Sequence, residues 1–176
     1  MDKRKQMALV QRRRDELSKA LRKGLERFKQ MGIKADVYVP DFKDNTAFLL
    51  IDEKSLGSYF QRRILSRLRK LGSDISVKSG IEDDVLITKI VSKAEVNKES
   101  LNEDVSKVKE EMEKTKIKTE IFVNCEDYTT ILILMDMTDI SSYFDRVVKE
   151  TIKRNKIKVM CDVYRESNVM VVRFVR

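Results

Sequence analysis

The stretch of sequence at residues 55–71, SLGSYFQRRILSRLRKL, decides the fold. Its segment 58–62, SYFQR, recurs 84 positions later at 142–146 as SYFDR. The same 84-residue shift aligns 17–91 with 101–175 without a gap, and 16 of the 75 aligned pairs are identical. Composition alone would give about five identities. The sequence therefore predicts a tandem duplication.

Hydrophobic spacing assigns the same order of elements, α-ββ-α-ββ, to the repeats at 1–92 and 93–176. The helices are predicted at 5–31, 56–71, 98–115 and 140–154, and the strands at 34–39, 46–52, 74–79, 84–91, 117–123, 129–136, 157–164 and 168–175. Hairpins favour antiparallel pairing. The predicted fold class is α+β, with one antiparallel four-stranded sheet per repeat, helices packed on one face, and pseudo-two-fold symmetry between the repeats.

Local signals support these boundaries. Gly32 is placed to end the first helix, and Ser55 and Asp139 are placed to cap the second helix of each repeat. We expect a turn over residues 80–84 between the third and fourth strands. The apolar stripe of the first helix is predicted to contain Met7, Val10, Leu17, Leu21, Leu25 and Phe28.

Two predicted strands, at 131–135 and 169–175, carry apolar side chains on both faces. We therefore expect the sheet face opposite the helices to be covered by the other repeat or by another subunit. A homo-oligomer is thus an open possibility.

Composition favours a folded cytoplasmic protein. Apolar residues make up 41% of the 176 residues, and no apolar run reaches the ~18 residues that a membrane span needs. The N-terminus carries no signal-peptide pattern, so neither secretion nor a membrane partner is expected. Charged residues make up 38%, and this Lys/Glu-rich balance is typical of heat-adapted proteins.

The two cysteines, Cys125 and Cys161, both lie in the second repeat. The chain has no histidine and no CxxC motif, so a zinc site is not predicted. The cysteines are expected either to be small half-buried side chains or to form a bridge.

Positive charge is concentrated in the first repeat. Residues 1–92 contain 21 Lys and Arg against 13 Asp and Glu, whereas residues 93–176 contain 16 of each. Such a surface suits a polyanion, although it also suits simple solvation. The candidate nucleic-acid-binding residues, on the outer faces of the first two helices, are Lys5, Arg12, Lys19, Lys23, Arg27, Arg62, Arg63, Arg67, Arg69 and Lys70.

Arg63 and Arg67 differ from the other candidates because they lie at the margin of an apolar helix face. Val147 and Thr151 occupy the matching positions of the second repeat. Burying an unpaired guanidinium group is costly. These two arginines are therefore expected to reach solvent, an acidic partner or a phosphate, or else to line a subunit contact.

Catalytic signals are weak. Without histidine, a general base would have to be a carboxylate, a lysine or a cysteine, and no nucleotide-binding or acyl-transfer motif is present. No catalytic residue, metal or cofactor is predicted. Pro40-Asp41 followed by Asp52-Glu53-Lys54 resembles the PD-(D/E)xK nuclease signature, and this resemblance would give Asp41 and Asp52 a metal-binding role and Lys54 a role beside the attacking water.

The sequence thus leads to a primary hypothesis and two alternatives. The primary hypothesis is a small, basic, non-enzymatic nucleic-acid-binding protein that contacts phosphates through its outer helix faces. The first alternative is an assembly protein that self-associates through its sheet faces. The second is a metal-dependent nuclease.

Overall fold

The computed structural model of the protein describes residues 3–40, 45–124 and 129–176. These residues form four α-helices and eight strands in the predicted order. The helices are α1 (Lys3–Gln30), α2 (Glu53–Arg67), α3 (Lys98–Thr115) and α4 (Met137–Arg154). The strands are β1 (Asp36–Tyr38), β2 (Thr46–Asp52), β3 (Ile75–Glu82), β4 (Val85–Ser92), β5 (Thr119–Asn124), β6 (Thr129–Asp136), β7 (Met160–Glu166) and β8 (Val169–Val175).

The strands form two antiparallel four-stranded sheets, so the predicted α+β class and the duplication are confirmed. The strand order is β1-β2-β8-β7 in one sheet and β3-β4-β6-β5 in the other. Each sheet therefore combines one hairpin from each repeat. We had expected the two hairpins of one repeat to share a sheet, and this expectation was wrong.

The strand registers of the two sheets match at equivalent residues of the two repeats. In the first sheet Phe48 lies opposite Arg173, and in the second sheet Leu132 lies opposite Lys89. An 84-residue shift converts one pair into the other. The pairing scheme is therefore unchanged when the two repeats are interchanged.

The chain divides into two compact units that follow the sheets. Unit 1 contains Met1–Ser55 and Phe144–Arg176, and unit 2 contains Leu56–Tyr143. Each unit contains residues of both repeats. The repeat boundary at residues 92–93 therefore divides the sequence but lies within unit 2.

In each unit the helices cover one sheet face. In unit 1, α1 packs on β2 and β8, and the Phe28 ring contacts the Phe144 ring of α4 at 5.8 Å between centroids. In unit 2, Gly57 of α2 contacts Leu86 of β4, and α3 packs beside β5. The buried positions of β6 alternate along the strand, as expected for a sheet with one covered face.

The second and fourth helices each begin three residues earlier than predicted, because the hairpin tips hold their first residues. The Met137 N–H donates to the Asp84 carbonyl at 2.9 Å, and the Glu53 N–H donates to the Asn168 carbonyl at 3.2 Å. The Asp136 side chain accepts hydrogen bonds from the backbone N–H groups of Thr138 and Asp139, at 2.7 and 3.2 Å. Asp136 is therefore the residue that caps α4, and the predicted caps, Ser55 and Asp139, lie inside the helices.

The helix ends follow the predicted signal. Gly32 has a φ of 67°, and the Ile33 N–H donates to the Phe28 carbonyl at 2.9 Å, which is the Schellman arrangement. Lys116 and Lys156 close α3 and α4 in the same way, with φ values of 60° and 52°. The prediction for Gly32 is confirmed.

The turn between β3 and β4 is tighter than expected. Only Asp83 and Asp84 separate these strands, with φ values of 48° and 62°. Ser167 and Asn168 make the matching turn between β7 and β8. Positive φ at both central residues is typical of type I′ hairpins, and Asp and Asn tolerate it.

The Cys161 thiol is free and buried, and its burial raises its pKa. Cys125 lies outside the described residues, as does Asp41. None of the helices formed by the described residues has the length and apolar character of a membrane span.

Candidate nucleic-acid interface

The close approach of α1 to its sheet fixes which side chains of this helix face outward. A Cβ atom on Gly24 would lie 2.6 Å from Leu49 Cδ1 and 3.4 Å from the Phe174 ring. The buried side of α1 is therefore the row Leu17, Ala20, Gly24 and Phe28. Glycine allows the helix backbone to lie against β2 and β8.

The N-terminal part of α1 lies outside the core, contrary to our expectation for its stripe. Met7 is 71% exposed and Val10 is 47% exposed. Leu17 and Phe28 are buried as predicted, whereas Leu21 and Leu25 are half-buried at the margin. The 84-residue equivalent of α3 starts only at residue 14, so α1 has eleven additional residues at its N-terminus.

Five predicted contact residues lie along one flank of α1. Lys5 and Arg12 are exposed, and Lys19, Lys23 and Arg27 are half-buried. Lys23 Nζ binds Glu26 at 2.8 Å. Within residues 3–40, 45–124 and 129–176, the other four form no ion pair.

The carboxylate of Glu16 lies near the middle of this flank. Glu16 Oε2 accepts a hydrogen bond from the Lys158 backbone N–H at 2.9 Å. This bond, together with the charges of Lys19, Arg176 and Arg12, lowers the pKa of Glu16. Glu16 therefore offsets only part of the charge of Arg12 and Lys19.

The other candidates of the second predicted helix do not all lie in α2, because α2 ends at Arg67 and Arg69–Leu71 form a short 3₁₀ helix. Arg62 and Arg69 are exposed, and Arg69 Nε donates to the Ser66 carbonyl at 3.2 Å. For Lys70, only the backbone is described. None of these three residues belongs to unit 1.

Arg63 and Arg67 both bind Glu111 of α3, within unit 2. Arg63 Nε lies 3.0 Å from Glu111 Oε1, and Arg67 Nε lies 2.7 Å from Oε2. Arg63 Nη1 also donates to the hydroxyls of Tyr59 and Tyr143, at 3.1 and 3.2 Å. Of the partners that the sequence left open, the acidic one is present.

Burial and hydrogen bonds shift the pKa values in this network. Burial, followed by the hydrogen bond to Tyr143, raises the pKa of Tyr59 to about 12. For Glu111, burial acts upward, but the hydrogen bonds from Arg63 and Arg67 lower the pKa overall. Burial also opposes the charge of Arg63, yet the bond to Glu111 raises its pKa. The network is therefore held as a carboxylate between two guanidinium groups.

The matching place in unit 1 has the opposite arrangement. Shifting Glu111 by 84 residues gives Arg27, and the same shift places Val147 and Thr151 where unit 2 has Arg63 and Arg67. Here a cleft of about 200 Å³ opens between α1 and the end of α4. Its lining residues are Lys23, Glu26, Arg27, Gln30, Thr151, Arg154 and Asn155.

Several cations of unit 1 are absent from the candidate contact residues, because they belong to the repeat whose net charge is zero. Lys153, Arg154, Lys156 and Lys158 are exposed in α4 and the segment after it. They share unit 1 with α1. Their place beside α1 follows from the exchange of hairpins, which brings the end of the second repeat into this unit.

The described residues do not form a site from the PD-(D/E)xK-like positions. Asp41 lies outside them, Asp52 ends β2 with an exposed side chain, and Lys54 is exposed in the first turn of α2. The described residues contain no cluster of three or more potential metal ligands.

No protein-family model matches the chain, and no curated protein sequence is similar to it.

Proposed function

We propose that this protein binds nucleic acid, without catalysis, by contacting phosphates through the cations of unit 1. The observation that carries the proposal is the distribution of charge between the units. Unit 1 contains 23 Lys and Arg against 13 Asp and Glu, a net charge of +10, whereas unit 2 contains 14 against 16, a net charge of −2. Concentrated positive charge releases condensed counterions when it meets a polyanion.

The proposed contact surface follows the length of α1. From Lys5 to Arg27 the helix rises about 33 Å at ~1.5 Å per residue. This length is comparable with about ten steps of ~3.4 Å along one nucleic-acid strand. Arg12 and Lys19 lie on this row, and the exposed Lys153 and Lys158 add charge in the same unit.

Contacts of this kind position the protein on the phosphate backbone without reading bases. Tyr59 and Tyr143 donate or accept within the Arg63 network, and the Phe60 ring is buried. The aromatic side chains of these helices are thus used for packing and do not form a stacking platform. We therefore expect binding with little sequence preference.

The test compares two charge-reversed variants by their affinity for duplex DNA, single-stranded DNA and RNA at several salt concentrations. Arg12→Glu with Lys19→Glu changes unit 1, and Lys98→Glu with Lys109→Glu makes the same charge change at exposed positions of unit 2. We expect the unit 1 variant to reduce the log–log salt slope by about 2 and to weaken binding strongly. Equal effects of both variants, or no salt-dependent binding by the wild type, would sink the proposal.

A second candidate function is self-association, which is favoured by exposed apolar side chains on the sheet faces opposite the helices. On the face opposite the helices, Met160 of unit 1 is 70% exposed and Phe122 of unit 2 is 54% exposed. Half-buried Phe48 and Leu132 lie on the same faces. Apolar sheet faces of this kind are usually covered by another element or subunit.

Light scattering over a range of protein concentrations tests this second candidate. A defined oligomer that dissociates in Phe122→Lys or in Met160→Lys is the expected result. A wild-type protein that stays monomeric at every concentration would remove self-association from consideration.

A further inference from the structure

The cleft between α1 and α4 in unit 1 is lined mainly by cationic and amide side chains. Lys23 and Glu26 neutralise each other through their 2.8 Å ion pair, which lowers the pKa of Glu26. The charge that remains belongs to Arg27 and Arg154. Arg154 contacts Glu150 at 3.5 Å, but both side chains are mostly exposed, and such surface pairs are weak.

In unit 2, the position equivalent to Arg27 is occupied by an anionic side chain. Here Glu111 places a carboxylate between Arg63 and Arg67. In unit 1, the residue at the position of Glu111 is Arg27, and no acid replaces the lost carboxylate within ion-pair distance in the described ranges. A half-buried guanidinium group is stabilised by an anion that accepts its hydrogen bonds.

We propose that this cleft binds a single phosphate group, held by the guanidinium groups of Arg27 and Arg154 with the side-chain amides of Gln30 and Asn155 beside them. Arginine presents a planar fork of donors that matches phosphate oxygens. A cleft of about 200 Å³ is smaller than the ~300 Å³ at which small-molecule sites begin, so its size suits a group as small as one phosphate. The inference rests on the proposed function, of which this cleft is one defined phosphate position.

A purely structural role makes a different prediction. Arg27 and Arg154 lie in the last turns of α1 and α4, where cations offset the helix carbonyl dipoles without any ligand. In that case added phosphate would cause no saturable change at these residues, beyond the effect of ionic strength.

The experiment is an NMR titration of the whole chain with inorganic phosphate, against sodium chloride at matched ionic strength. The side-chain signals of Arg27, Gln30 and Asn155 should shift saturably with phosphate. Arg27→Gln should weaken the binding by about ten-fold or more, and Arg22→Gln, an exposed position on another side of α1, should leave it unchanged. Because Arg154 is 79% exposed, Arg154→Gln serves as a second variant that does not depend on packing.

Oligonucleotides with and without a 5′-phosphate then distinguish a terminal phosphate from an internal phosphodiester. If inorganic phosphate produces no saturable shift, or shifts Arg27→Gln as strongly as the wild type, the cleft inference is overturned while the wider surface of unit 1 stands. If phosphate occupies the cleft but no nucleic acid binds, the proposed function falls and the cleft remains an anion site.

Discussion

Tyr59 and Tyr143, which are equivalent residues of the two repeats, place their hydroxyl oxygens 3.4 Å apart. Arg63 donates to both oxygens from one nitrogen, Nη1, and its guanidinium group also lies 5.6 Å from the centre of the Tyr59 ring. The SYF motif that revealed the duplication therefore supplies both members of this contact. One arginine, absent from the second repeat, joins them.

The raised pKa of Tyr59 predicts a loss of stability at high pH. Because the folded-state value of about 12 lies above the ordinary value of 10.0, the fold favours the protonated hydroxyl. Its contribution is complete below pH 10 and is lost as the pH rises toward 12. Tyr59→Phe should remove a late step, close to pH 12, from the tyrosine absorbance titration. A Tyr59→Phe titration with the same late step would contradict this assignment.

The lowered pKa of Glu111 predicts a loss of stability in acid. Its contribution is complete above the ordinary value of 4.5 and is lost as the pH falls through the lower folded-state value. At pH 7, Glu111→Gln should lower the free energy of unfolding by about 1–2 kcal/mol, since it leaves Arg63 without its charged partner. The neighbouring, exposed Glu110→Gln is the matched control.

Urea unfolding of these variants at pH 7 and pH 3 checks the prediction. The difference between wild type and Glu111→Gln should be smaller at pH 3 than at pH 7, because the contribution of the carboxylate declines as the pH falls below 4.5. A difference that persists at pH 3 would mean that the charge of Glu111 is not what stabilises the network.

The buried ion pair of unit 1 can be tested with residues taken from the other repeat. Glu53 Oε1 binds Arg165 Nε at 2.5 Å, and buried Glu53 Oε2 has no hydrogen-bond partner in the described part of the chain. The equivalent positions in the other repeat are Met137 and Ile81. Arg165→Ile alone should cost about 3–5 kcal/mol, because it leaves a buried carboxylate without its partner.

The double variant, Glu53→Met with Arg165→Ile, should recover the free energy of unfolding to wild type or above. Denaturant unfolding measures both variants. If the double variant is no more stable than Arg165→Ile, the apolar pair of the other repeat cannot replace this ion pair, and the prediction is wrong.

The left-handed residues that close α3 and α4 predict a gain in stability. Lys116 and Lys156 occupy the conformation that glycine has at Gly32. The left-handed backbone conformation costs a residue with a Cβ atom about 1–2 kcal/mol. Glycine avoids this cost, but part of the gain is lost because glycine makes the unfolded chain more flexible. Lys116→Gly and Lys156→Gly should each raise the free energy of unfolding by about 0.5–1 kcal/mol.

The reverse substitution is the control for these two variants. Gly32→Lys should destabilise the protein by a similar amount, as measured by thermal or urea unfolding. If all three substitutions act in the same direction, the effect does not come from the backbone conformation.

The exchange of hairpins predicts that neither repeat folds as a monomer. Residues 1–92 contain β2 without β8, and residues 93–176 contain β6 without β4, so each lacks the central pairing of a sheet. Each fragment alone should show no cooperative unfolding as a monomer, and the two fragments together should form a 1:1 complex with the circular dichroism of the whole chain. A fragment that unfolds cooperatively as a monomer would contradict this.

Much of the fold follows from the sequence because the two repeats check each other. The bounds of β2, β6 and α3 match the prediction, and Gly32 ends α1. The partner of β2 could not be predicted, since β4 and β8 are equivalent strands and pairing with either satisfies the same pattern. The partner of Arg63 was hidden for a similar reason, because Glu111 reads as one more solvated charge on α3 until α2 is placed beside it.

The candidate contact residues were predictable in α1 and less so elsewhere. The row from Lys5 to Arg27 follows from helical spacing alone. Lys153 and Lys158 were not among the candidates, because charge was summed over each repeat, whereas the compact unit takes its residues from both repeats.

The pairing of hairpins across the repeats also bears on how the two sheets could come to differ. In a symmetric dimer of one ancestral repeat, every substitution would appear twice, and a cation gained beside one sheet would be gained beside both. Joining the copies in one chain removes that constraint, so that the same structural position can hold Arg27 in one place and Glu111 in the other. With both repeats in one chain, the surfaces beside the two sheets can therefore change independently.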